Sequence, residues 1–114
     1  MFMGCISLKS VDLTSFNTSL VSRLTFMFYG CRELTSIDLS NFYTKNVISF
    51  QDMFYNDIKL NYVDISSFDT SNSNVYYASD YLFKGVTGKG TIIINKNTYN
   101  KDIPNGWTVI YKNN

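Results

Sequence analysis

Apolar and polar positions along this chain follow two rhythms that alternate and then begin again. Val21, Leu24, Met27, Phe28 and Cys31 stand at i, i+3, i+6, i+7 and i+10, which lays one apolar stripe along a helix. Thr18 or Ser19 sits at the N-cap position and Gly30 where a left-handed stop residue is favoured, so the spacing predicts a helix from about Ser19 to Tyr29. The stripe recurs as Thr44, Val47, Phe50, Met53 and Phe54, and less regularly as Thr70, Val75, Ala78, Leu82 and Phe83. Each stripe is followed by Leu-x-x-(Ile/Val)-Asp-(Leu/Ile)-x-x-Phe, running Leu8 to Phe16, Leu34 to Phe42 and Leu60 to Phe68. Its centre alternates: Val11/Leu13, Ile37/Leu39 and Val63/Ile65 point to one side of a short strand, and Asp12, Asp38 and Asp64 to the other. Ile92 and Ile94 match Val63 and Ile65, with Ile93 in place of the aspartate. In the tail, Ile103-Pro104-Asn105-Gly106 reads as a turn and Trp107 to Tyr111 as a last alternating strand.

The two rhythms together form a repeat of 26 residues. Met1-Phe2-Met3-Gly4-Cys5 returns as Met27-Phe28-Tyr29-Gly30-Cys31 and as Met53-Phe54, and a degraded fourth copy starts at Leu82-Phe83, three residues late. The first two units share eleven of 26 positions: Met, Phe, Gly, Cys, Leu, Ser, Asp, Leu, Phe, Thr and Val. A fixed period of this length marks a solenoid. The expected fold is therefore α/β, a short leucine-rich-repeat-type solenoid of stacked helix–strand units with parallel strands. Phe16, Phe42 and Phe68 would form a ladder filling the turn beyond each strand. We place the units at about 1–26, 27–52, 53–81 and 82–98, with a β-rich C-terminal cap over 99–114, all in one domain. Leu8, Val11, Leu13 and Phe16 are expected to face outward unless further repeats or another subunit cover them. That implies part of a longer array, or self-association through this N-terminal face.

Composition then removes whole classes of chemistry. Net charge is +1 with 17% charged residues, so phosphate-driven nucleic-acid binding has no electrostatic support. No apolar run approaches the ~18 residues of a membrane span, and no basic flank precedes an apolar core near the start, so neither membrane insertion nor a signal peptide is expected in this stretch. Histidine is absent, which excludes Ser/His and Cys/His nucleophile pairs and histidine zinc sites within the chain. Two cysteines cannot complete a thiolate cage. Cys5 and Cys31 share one repeat position, close enough for a disulfide, although in-register stacking turns both inward and favours two buried thiols.

The motif Met-Phe-x-Gly-Cys-x-x-Leu-x-x-(Val/Ile)-Asp-Leu-(Ser/Thr)-x-Phe-x-Thr, with Val and Met-Phe after it, resembles the 26-residue repeats of BspA-like leucine-rich repeat surface proteins, the mycoplasma lipoprotein-type repeat family. The resemblance covers residues 1 to about 86, and Gly90-Thr91-Ile92-Ile93-Ile94-Asn95 with Ile103 to Val109 is similar to the segment that often closes such arrays. Gly-Cys is lost at Asn56-Asp57. The resemblance implies a secreted or cell-surface protein that adheres to a host or neighbouring-cell surface protein or glycan.

The candidate site lies on the strand face away from the core. Asp12, Asp38 and Asp64 would stack at the strand spacing of about 4.8 Å, and like charges so close repel. A basic partner or calcium would relieve that, although no dense Asp-x-Asp-x-Asp-Gly loop is present. The alternative is that each carboxylate bonds nearby backbone and Ser/Thr hydroxyls. Among the tyrosines, Tyr62 shares the Asp64 strand face and suits recognition by offering large area at low entropic cost. The expected ligand-binding residues are thus Ser36, Asp38, Tyr62, Asp64 and Asp12, with no catalytic or metal residues and no cofactor. The expected function is a non-enzymatic recognition or adhesion module; the competing one is an intracellular interaction scaffold. A hydrolase would need convergent carboxylates, and these are spaced along a sheet.

Overall fold

The computed structural model describes residues 4–69, 82–83, 85–86, 88–95 and 103–112. Four short strands form one parallel sheet in chain order: β1 Ser36–Asp38, β2 Tyr62–Asp64, β3 Thr91–Ile94 and β4 Thr108–Tyr111. The alternation read from the sequence sets their faces. Ile37, Val63, Ile92 and Val109 lie in register; the first three are buried and Val109 is half-buried. Leu39, Ile65 and Ile94 form a second buried column beside them. Of the expected cap, β4 takes up the strand read over Trp107 to Tyr111, and it pairs parallel with β3.

The helices expected over the first two apolar stripes are not there among the described residues. Among the described residues every regular element is a strand, so the helix–strand solenoid unit gives way to stacked turns and short strands. From Leu24 to Cys31 the backbone donors divide between two kinds of partner. Met27, Tyr29 and Cys31 donate to the carbonyls of Leu24, Phe26 and Phe28, three residues back. Leu24, Phe26, Phe28 and Gly30 donate instead to Ser49, Gln51, Met53 and Tyr55 in the next repeat, at 2.7–3.1 Å. A helix would send every N–H four residues back within its own segment. Phe26, at φ 61°, breaks that path, as does Asp52 at φ 55° one repeat later. The apolar stripe is kept without a helix: residues three apart also face the same way when successive three-residue turns wind past one another. Thr18 is accordingly no helix cap. Its buried hydroxyl accepts the Tyr43 N–H at 2.8 Å, and Thr44 does the same for Asp69 at 2.9 Å. Of the third expected helix, residues 70–81 lie outside the described residues, while Leu82 and Phe83 are buried.

Side chains one repeat apart stack directly. Phe28, Phe54 and Phe83 form a run of near-parallel rings, with centroids 5.9 and 5.1 Å apart, closed by Trp107 at 6.1 Å from Phe83. The ladder expected from Phe16, Phe42 and Phe68 holds as burial for the last two, with Phe16 half-buried. Leu13, expected to face outward, is buried, while Leu8, Val11 and Phe16 are half-buried against the core. The left-handed position foreseen at Gly30 (φ 73°) recurs at Gly4, Asn56 and Gly85, the same place in all four copies. Gly90 serves a different need: a Cβ there would lie 2.5 Å from the Asn61 carbonyl oxygen, so only glycine lets β3 approach close enough for Thr91 to donate to that oxygen at 2.9 Å.

Candidate functional site

The outward face of the sheet is built from two rows. Ser36, Tyr62, Thr91 and Thr108 share one register row, and Asp38, Asp64, Ile93 and Ile110 the other. Ser36, Asp38, Tyr62, Thr108 and Ile110 are exposed, and Asp64 is buried at 7% exposure. Four of the five residues singled out from the sequence are therefore brought together by β1 and β2. Asp12, the fifth, occupies the equivalent position one repeat earlier, outside the paired strands.

Each of the three aspartates does the same local job. Oδ1 of Asp12, Asp38 and Asp64 accepts the backbone N–H two residues on, from Thr14, Ser40 and Ser66, at 3.0, 2.9 and 3.0 Å. That closes an Asx turn, at the end of β1 for Asp38 and of β2 for Asp64. Asp12 also accepts the Thr14 hydroxyl at 2.7 Å, and the Thr14 backbone bond, then that hydroxyl, holds its carboxyl below the usual range. The column thus takes the form of the local alternative weighed from the sequence: carboxylates engaged by their own turns. Among the described residues no group of three or more His, Cys, Asp and Glu gathers where it could hold a metal ion.

Tyr62 is the side chain that differs. It stands 37% exposed in a row of small hydroxyl-bearing residues. Burial of part of its ring raises the phenol pKa, and the charges of Asp64 and then Asp38 raise it further.

Thr91 and Thr108 belong to this face and were not singled out. Thr91 was legible, because Ile92 aligns with Val63 and so places Thr91 beside Tyr62. Thr108 carried no such signal, because β4 follows β3 off the 26-residue period. A second polar feature is internal. Asp57 replaces the cysteine of the earlier repeats, is fully buried, and accepts the Cys31 N–H at 2.7 Å. Burial pushes its pKa up to about 8. Cys5 and Cys31 are free thiols, and burial, then the Asp57 charge, pushes the Cys31 thiol to about 11.

A protein-family model described as "Mycoplasma protein of unknown function, DUF285" matches residues 1–109. Searches of curated proteins and of solved structures gave no match. No helix among the described residues is long and apolar enough to cross a membrane.

Proposed function

The chain belongs to the DUF285 family of mycoplasma proteins of unknown function, and from that premise we propose that it is a non-enzymatic recognition module of the BspA-like type, at the cell surface or secreted, that takes a protein or glycan through its open strand face. The observation that carries this reading is the setting of Tyr62. A half-exposed aromatic rises from a row of Ser36, Thr91 and Thr108, with Asp38 and the edge of Asp64 beside it. One amphipathic ring amid small hydroxyls is the composition of a contact centre, since tyrosine brings area at little entropic cost and dominates interface energetics. The carboxylates favour a partner surface with lysine or arginine at this point.

Two measurements test it together. Protease shaving of intact producing cells, with a lysed control, should remove the segment; full protection would favour an intracellular scaffold that uses the same face. Binding of the purified chain to host-cell or matrix preparations should fall by about tenfold or more in Tyr62→Ser. That change installs the residue β1 already carries at the equivalent position, so the fold tolerates it. Undiminished binding by this variant would remove the strand face from the proposal.

A further inference from the structure

A cavity of about 260 Å³ lies where the first repeat meets the second, walled by Phe16, Val21, Leu24, Met27 and Phe42, with Arg23 also on its lining. Among its apolar walls, one position differs between neighbouring units. In the second repeat the position of Leu24 is held by Phe50, fully buried and stacked on Phe68 at 4.8 Å. One repeat earlier the equivalent pair is Leu24 and Phe42, and the smaller leucine leaves open the space that Phe50 fills with a ring. The polar groups around it are not equivalent. The Thr18 hydroxyl is engaged with Tyr43, the Thr25 hydroxyl with Ser49 at 2.7 Å, and Asn17 Oδ1 with the Ser19 N–H. Arg23 is the one charged residue of the lining, it is exposed, and no described carboxylate pairs with it.

We propose that this cavity is a small-molecule site that takes a medium-length apolar carboxylate, its hydrocarbon part against Leu24, Met27 and Phe42 and its head group on Arg23. The volume sets the size class. It exceeds the ~150 Å³ that accommodates benzene and falls just below the roughly 300–1,000 Å³ of drug-sized pockets, which suits a chain of intermediate length rather than a lipid or a single ring. Charge sets the head group, because a guanidinium binds a carboxylate in a two-pronged geometry that an alcohol or amine cannot use. The site is separate from the strand face, so it stands or falls independently of the function proposed above.

Octanoate is the probe, titrated into the full chain and followed by amide and methyl NMR shifts. The expected result is saturable shifts at Leu24, Met27 and Phe42, with affinity reduced about tenfold in Arg23→Gln. Leu24→Phe, the residue the next repeat uses, should fill the cavity and abolish binding. Octylammonium should not bind. Absence of shifts with octanoate would overturn the proposal. So would equal binding of octylammonium, unchanged affinity in Arg23→Gln, or retained binding in Leu24→Phe. Because Arg23 is exposed, its variant reports on the site even if Leu24→Phe folds poorly.

Discussion

Cys31 donates its backbone N–H to Oδ1 of Asp57 at 2.7 Å, from the position one repeat earlier. The acid thus stands where the first two units carry cysteine, and its second oxygen, Oδ2, is buried with no hydrogen-bond partner among the described residues. Burial raises the Asp57 pKa to about 8, against which the Cys31 N–H pulls less strongly. The folded chain therefore holds this proton at neutral pH and the unfolded chain does not. Stability contributed by the protonated group is complete below about pH 4 and falls as pH rises toward about 8, by at most about 1.4 kcal/mol per unit. Asp57→Asn keeps the acceptor for Cys31 and removes the ionisation. Urea unfolding should show this slope for the parent chain, a flatter profile for the variant, and a higher midpoint for the variant near neutral pH. An equally steep fall in the variant would place the slope in other groups.

Packing in the ring stack gives a second expectation. Phe54 lies between Phe28 and Phe83, is fully buried, and faces a near-parallel ring on either side. Phe54→Ala should cost about 3–5 kcal/mol, the usual range for an aromatic removed from a closed core. Phe16→Ala, at a half-buried position, should cost clearly less in the same urea series. Equal losses would mean that the first repeat is packed as tightly as the second, and that the open space beside Leu24 is closed in solution.

What the sequence made legible depended on which periodicity was unambiguous. Alternation around Ile37, Val63 and Ile92 fits only a strand, and those residues pair in the expected register. The three-residue spacing of Leu24 and Met27 fits a helix and a winding turn equally well. The feature that decides between them, a left-handed Phe26, has no sequence signal, because phenylalanine rarely adopts that conformation. Glycine at Gly30 did signal a left-handed residue, but within a turn rather than at a helix end. The site divides in the same way. Asp38 and Asp64 stand on one face as period two requires and close local turns with Ser40 and Ser66, whereas the burial of Asp64 has no signal within the repeat, since Asp38 at the same position is exposed. Thr18 read as a cap because a threonine hydroxyl accepts an N–H in either setting; the donor proved to be Tyr43, 25 residues on.

The electrostatics of the open face can be tested at Tyr62 directly. Its phenol is raised first by burial, then by Asp64, then by Asp38. Asp38→Asn retains an oxygen for the Ser40 turn and deletes one of the two charges. The Tyr62 pKa should then move down toward the ordinary tyrosine range. Tyrosine ring-carbon NMR across an alkaline titration reads this shift, with Tyr62→Ser assigning the resonance. The sign has a consequence for stability. A phenol held protonated in the folded chain stabilises below its unfolded pKa of about 10 and loses that contribution as pH rises through the higher folded value, so Asp38→Asn should also soften the loss of stability in alkali. If Tyr62 did not move, the carboxylates would be too well screened to act on it. The same screening would then leave them unable to select a basic partner, and recognition at this face would rest on the ring alone.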